Sequence, residues 1–354
     1  METPFNGTGT EVEISRIDKE LGLLWDASGD TKTRASLINL VIHSEDPASL
    51  PANTALIEEI AECHACRAIL IQSNPHLPRS SARAWIGAHC RLVGKGERQV
   101  CSEQITFLLE GPCATSLPGI VFSHLDSDLP LCLWWQGKFQ DPPDPKLWAW
   151  VDRLIFDSAD WAHPLTQFSI VRQIASLAGG NRTVLCDLNW TRLHAWRTAL
   201  ASLFDHAAAL PHLRGIRKLH IAAGSDAHTS AWLLVGWLAD RLDWIRPHQT
   251  SSHVTEGTQR TTFIAPDGFP IACDLSPSDQ PGLVGIALAS ANASFSLERS
   301  KPSAPFTATL HTPQIGETHL TLRSRCENLP ETLATELGRA GRHPLYLRSL
   351  AHVS

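Results

Sequence analysis

Strand-like and helix-like patterns alternate through the middle of this chain, and that alternation limits the possible folds more than any other feature. The apolar runs LPLCLWW (129–135), RLIFDS (153–158), TVLCDL (183–188) and KLHIAAG (218–224) read as strands. Helical spacing occupies the stretches near 144–151, 164–178, 190–213 and 226–242. Because the apolar residues are not confined to every second position, a sheet covered on both faces, and therefore largely parallel, is expected. Upstream, RASLINLVIH (34–43) and RAILIQ (67–72) extend the pattern, with a helix over 53–65 that Asn53 is expected to cap. ARAWIGAHCRLV (82–93) and RQVCSEQITFLLE (98–110) alternate with period two around GKGE, which predicts a β-hairpin.

After Trp244 the character changes. A polar loop is followed by short alternating segments, from RTTFIA to ETHLTLRS, and a last helix is expected over 329–340. The fold class expected is therefore α/β, a mixed, largely parallel sheet flanked by helices, followed by an α+β part with antiparallel strands over about 259–325. With 354 residues, more than one core is expected. The division reads as a polar N-terminal segment, 1–30, with one short helix around 11–24; an N-terminal α/β domain, 31–162; and a C-terminal domain, 163–354.

The chain is 43% hydrophobic and 19% charged, which fits a globular protein. A net charge of −6 offers no basic footprint for nucleic acid, and no lysine-rich run suggests an anionic membrane. The N-terminus lacks the basic start and apolar stretch of a signal peptide, so a cytoplasmic location is expected. Nine cysteines are scattered mostly one to an element, as buried thiols are in a reducing compartment. Twelve tryptophans against one tyrosine is an unusual balance, and an indole N–H requires a partner when buried.

Several constellations have both a chemical and a plain structural reading. Cys63 and Cys66, in CHAC, would share a face on the last turn of a helix and form a redox pair. A zinc site needs four ligands; no second CxxC or HxxxH occurs, although His43, His64, His76 and Cys90 could in principle converge, so structural thiols are the simpler reading and no metal is expected. In DLNW, Asp187 and Asn189 stand at the carboxyl end of a strand, where open α/β sheets collect ligands. Asn189 or Thr191 is expected to cap the next helix. Leu193, Trp196, Leu200, Leu203 and Phe204 share one helical face, while Arg192 and Arg197 fall outside it. That leaves a capped amphipathic helix with surface arginines, or a partner or ligand site built on Trp190, Arg192 and Arg197. Gly224, Ser225 and Asp226 lie between a strand and a helix start, where backbone N–H groups can hold an anion. Trp134 and Trp135 must face opposite sides of their strand, so one of them requires cover from a helix, a second domain or a partner. No GxGxxG, P-loop, GxSxG or HExxH occurs, so no cofactor is expected and the balance shifts from catalysis to binding.

These segments resemble the OpcA family of glucose-6-phosphate dehydrogenase assembly or activator proteins. The resemblance runs in order through RASLINLVIH, CHACRAILI, VCSEQITFLL, SDLPLCLWWQG, DRLIFDSADW, DLNWTRLHAWR and AWLLVGWLADRLDW, between about residues 34 and 244. It implies a non-catalytic partner of glucose-6-phosphate dehydrogenase in the oxidative pentose phosphate pathway, acting on assembly or substrate affinity. For some members it also implies a thiol link to thioredoxin, a second expected partner. Trp134, Trp135, Asp187, Asn189, Trp190, Arg192 and Arg197 are then the candidates for partner contact or for shaping a site. The alternative is an α/β sugar-phosphate-binding enzyme or sensor using the Asp187/Asn189 edge.

Overall fold

A computed structural model describes residues 9–26, 32–34, 36–92, 99–177, 183–247, 253–255, 257–301, 303–323 and 328–353. Two compact units emerge, each assembled from three stretches of chain. The first comprises 1–156, 170–186 and 329–342, and the second 157–169, 187–328 and 343–354. Two sheets, one per unit, organise the described residues. Among those residues no helix is long and apolar enough to cross a membrane.

The first unit holds strands β1 (Thr10–Val12), β2 (Lys32–Arg34), β3 (Ile38–Ser44), β4 (Cys66–Asn74), β5 (Ser81–Leu92), β6 (Gln99–Glu110), β7 (Leu131–Trp135), β8 (Arg153–Phe156) and β9 (Val184–Asp187). Their order is β1-β5-β6-β4-β3-β7-β8-β9, with β2 also beside β6. β6, β4, β3, β7 and β8 pair in parallel, and β5 runs antiparallel to β6. Taken in chain order, β3, β4, β6, β7, β8 and β9 stand in the arrangement 3-2-1-4-5-6 of doubly wound nucleotide-binding folds. β3, β4 and β7 are buried on both faces, which is why their sequences read as continuous apolar runs. The expected hairpin is β5–β6; its GKGE turn lies outside the described residues.

Helices α1 (Ile17–Asp26), α2 (Ser49–Cys63), α3 (Leu117–Ile120) and α4 (Pro145–Trp148) also belong to this unit. Asn53 does not cap α2. The helix begins at Ser49, Pro51 occupies its first turn where a missing N–H costs nothing, and Asn53 is buried inside the helix. α5 (Pro164–Leu177) runs from the second unit's residues into the first unit's.

The second unit contains α6 (Leu188–Arg192), α7 (His194–Ser202) and α8 (His228–Leu242), and an eight-stranded sheet. The strands are β10 (Lys218–Ala223), β11 (His253–Thr255), β12 (Thr258–Ile264), β13 (Pro270–Pro277), β14 (Leu283–Ala289), β15 (Ser294–Glu298), β16 (Phe306–Thr312) and β17 (Gly316–Leu322), in the order β11-β12-β13-β10-β14-β15-β16-β17. All neighbours are antiparallel except β10 and β13. β10 therefore belongs to this sheet and not to the parallel one with which the sequence pattern grouped it. The reason is visible in KLHIAA, which buries Leu219, Ile221 and Ala223 and exposes Lys218 and His220, a half-buried strand of period two. β13 and β16 alternate in the same way, and their apolar residues form a core with the helices. Trp196 meets Phe306 at 4.7 Å and Phe204 meets Phe295 at 4.6 Å between ring centroids.

The chain's last helices are α9 (Leu329–Leu337), in the first unit, and α10 (Pro344–Val353), in the second. The sequence pattern predicts only the former. α8 is apolar on all sides and buried from Thr229 to Ala239, and α10 packs along it.

Candidate functional site

The DLNW edge forms a polar knot in the second unit. Asp187 ends β9 and caps α6: its Oδ1 accepts the N–H of Asn189 at 3.0 Å, so the cap lies two residues ahead of the expected Asn189 and four ahead of Thr191. The same oxygen accepts the N–H of Ser158 at 3.1 Å, and Oδ2 accepts the hydroxyl of Tyr346 at 3.1 Å. Tyr346 is the chain's one tyrosine. Asn189 donates to Ser158 Oγ at 3.1 Å and accepts from Ser230 Oγ at 2.7 Å. Two side chains thus tie together α6, the 157–160 turn, the first turn of α8 and α10.

Asp187 is only 1% exposed. Burial, reinforced by the neighbouring Asp157 charge, pushes its carboxyl up to about 7, against the pull of the Ser158 and Tyr346 hydrogen bonds. A carboxyl with both oxygens engaged and no opening to solvent acts as a structural hub. Arg192 pairs with Asp157 at 2.6 Å, and Arg197 donates to the Trp190 carbonyl at 2.8 Å with its guanidinium 3.6 Å above the Trp190 ring. Trp190 also meets Tyr346, with 5.4 Å between ring centroids. Asn189, Thr191, Arg192 and Ser230 line a cavity of about 680 Å³; Asp187 does not.

The tryptophans singled out in the sequence lie inside. Trp134, Trp135 and Trp190 are all buried, so they shape the fold and offer no surface to a partner. Trp150, which carried no sequence signal beyond its residue type, is the exposed tryptophan among the described residues, at 49%. Gly224 packs so closely on residues 280–281 that an added Cβ would stand 2.5 Å from the Gln280 carbonyl oxygen, and both Asp226 carboxylate oxygens accept the Gly282 N–H. That loop is occupied by its own chain.

Cys63 is exposed at the end of α2, whereas Cys66 is buried in β4, its thiol pushed up to about 12 by burial. They are not joined. The disulfide among the described residues is Cys90–Cys101, two residues directly opposite each other in the β5–β6 hairpin.

In the first unit, the carboxyl ends of β3 and β7 mark the switch point where doubly wound sheets hold dinucleotides. Here His43 stacks on Trp135 with 3.8 Å between centroids and bonds Ser73 at 2.8 Å. Asn53 and Gln136 exchange amide hydrogen bonds at 3.0 and 2.8 Å. Glu45, Asp46 and Pro47 follow β3 in place of a glycine-rich loop. Burial holds His43 down at about 3, so it is neutral. In the turn between β3 and α2, Asp46 Oδ1 accepts the Ala48 N–H at 3.0 Å.

Two sequence patterns of one family match the chain. The first, described as the N-terminal domain of a glucose-6-phosphate dehydrogenase subunit, matches residues 57–173. The second, described as the C-terminal domain of that subunit, matches 183–350. An OxPP cycle protein OpcA of Nostoc punctiforme is 26% identical over 62% of this chain and 47% of its own. Its counterpart in Synechococcus elongatus is 24% identical over 79% of this chain and 64% of its own. The chain thus spans about half to two thirds of the length of such relatives. Among solved structures, the 3-ketoreductase KijD10 of Actinomadura kijaniata, with NADP and TDP-benzene, is 9% identical over 90% of this chain and 95% of its own, at a TM-score of 0.49. Likeness that weak bears on neither chemistry nor ligand. With both domain patterns matched in order, and with OpcA proteins among its relatives, this chain belongs to the OpcA family.

Proposed function

We propose that this chain is a non-catalytic partner of glucose-6-phosphate dehydrogenase, one that binds the enzyme and stabilises its active state. The observation that carries the reading is the match of both dehydrogenase-subunit domain patterns, over 57–173 and 183–350. The switch point is consistent with it, because His43 stacks on Trp135 and Asn53 pairs with Gln136 there, with no glycine-rich loop after β3. The enclosure of Asp187 supports it too, since a carboxyl sealed behind Tyr346 and Ser158 does not reach a substrate. The working compartment in this reading is the cytoplasm. Thioredoxin is not part of the proposal: Cys66 is buried and Cys63 exposed, so they do not present a joint thiol pair.

Mixing the purified chain with the dehydrogenase and running size-exclusion chromatography with light scattering tests the association. Co-elution as a complex of defined mass is expected. Separate elution at micromolar concentrations of both would remove the proposal's first half.

A further inference from the structure

The cavity beside the DLNW edge has the chemistry of a small-anion site. Its walls carry Arg192, Arg299, Lys301 and Arg323 against a single carboxylate, Asp226. That carboxylate is turned toward the Gly282 N–H, at 2.9 and 3.1 Å. A chain of net charge −6 therefore gathers four cations around one hollow, which focuses a positive potential there. Arg299 is held in the wall, its Nε donating to the Ala304 carbonyl at 3.1 Å and its guanidinium 4.9 Å from the Phe306 ring centroid. Arg192 is fixed from behind by Asp157. Lys301 lies in the connection between β15 and β16, Arg323 directly follows β17, and both are exposed.

Neutral polar residues share the lining with the cations: Thr198 and Thr321, and Asn189, Thr191, Ser202 and Ser230, whose side chains also hydrogen-bond within the protein. Hydroxyl oxygens with lone pairs to spare suit a polyol, as the cations suit a phosphate. The cavity volume of about 680 Å³ falls within the range of small-molecule sites, ~300–1,000 Å³. All the lining residues belong to the second unit, so the site is complete within it. Ser230 and Asn189 hydrogen-bond each other in the wall, so an occupant would touch the knot that joins α6, α8 and α10.

We infer that this cavity binds a phosphorylated polyol, a sugar phosphate by class, with the cations on its phosphate and the hydroxyl groups on its body. The binding is a property of this chain alone and does not rest on the dehydrogenase reading.

Isothermal titration calorimetry on the full chain, with glucose 6-phosphate, glucose and inorganic phosphate as probes, tests it. Saturable binding of glucose 6-phosphate is expected, with glucose silent, inorganic phosphate at least about tenfold weaker, and affinity falling as salt is raised. The double variant Lys301→Gln/Arg323→Gln alters two exposed side chains and is expected to weaken the ester about tenfold or more at unchanged thermal stability. Absence of saturable heat up to roughly 10 mM ester would overturn the site. So would undiminished binding by the double variant, and inorganic phosphate binding as tightly as the ester would overturn the polyol half. None of these failures touches co-elution with the dehydrogenase.

Discussion

At Asp187, burial and hydrogen bonding act on one carboxyl in opposite directions. Burial prevails, raising it from 3.8 to about 7. The sign of the consequence follows from linkage: the folded state holds the proton more tightly than the unfolded chain. The stabilisation is therefore complete below about pH 4 and is lost as pH rises through 7. Asp187→Asn imitates the protonated carboxyl and does not titrate. Denaturant titrations at pH 5 and pH 8 should show the variant gaining about 2–3 kcal/mol relative to wild type between the two. A constant difference would mean that the carboxyl is not perturbed. Tyr346→Phe removes a donor that favours the ionised form, and should steepen the wild-type decline toward pH 8. Asp187 and Asn189 were legible in the sequence, because a strand ending in Asp-Leu-Asn announces polar groups at a sheet's edge. Their partners were not. Tyr346 is 159 residues away, and a local pattern holds no trace of such a meeting.

Elements were legible where periodicity and burial agree. β3, β4, β7 and β8 fall within a few residues of their apolar runs, and the β5–β6 hairpin follows its period-two alternation. The assignment of β10 to a sheet was lost, since a six-residue strand says what it buries but not which neighbour it chooses. α8 and α10 hold another fact beyond sequence reading. A Cβ at Gly236 would stand 2.4 Å from the Ser349 carbonyl oxygen and 2.7 Å from Val353 Cγ2, whereas at Gly22 in α1 nothing lies within 4 Å. Gly236→Ala should destabilise by about 1–3 kcal/mol despite its better helix propensity. Gly22→Ala should stabilise by roughly 0.5–1 kcal/mol. Thermal melts of the two variants separate close helix packing from propensity, and equal signs would contradict the packing. In the hairpin, the Cys90–Cys101 bond spans 11 residues, so Cys90→Ser/Cys101→Ser should cost about 2–3 kcal/mol of unfolding free energy under oxidising conditions. An unchanged denaturation midpoint would mean that the bond does not hold the hairpin in solution.

For the molecule as a whole, the class of fold was legible from alternating patterns, but its assembly was not. Each unit draws on three separate stretches, and α9 and α10, seven residues apart along the chain, belong to different units. A linear reading cuts a chain into consecutive pieces, whereas packing selects partners by shape and apolar area. The same limit applies to function: a tryptophan's type does not say whether it is buried, as Trp134, Trp135 and Trp190 are, and the cations of the cavity are spread from Arg192 to Arg323. If activation works through tighter substrate binding, reciprocity requires glucose 6-phosphate to tighten the protein–protein complex by the same factor. Titrating the complex with and without the sugar phosphate measures that factor, and an unchanged dissociation constant would exclude this form of activation. The central claim, that the chain raises another enzyme's activity and has none of its own in that reaction, is tested most directly by dehydrogenase kinetics across glucose 6-phosphate concentrations, with and without saturating chain. A rise in kcat/KM of about fivefold or more is predicted, with no NADP reduction by the chain alone. Superimposable curves, or NADP reduction by the chain without the dehydrogenase, would contradict it.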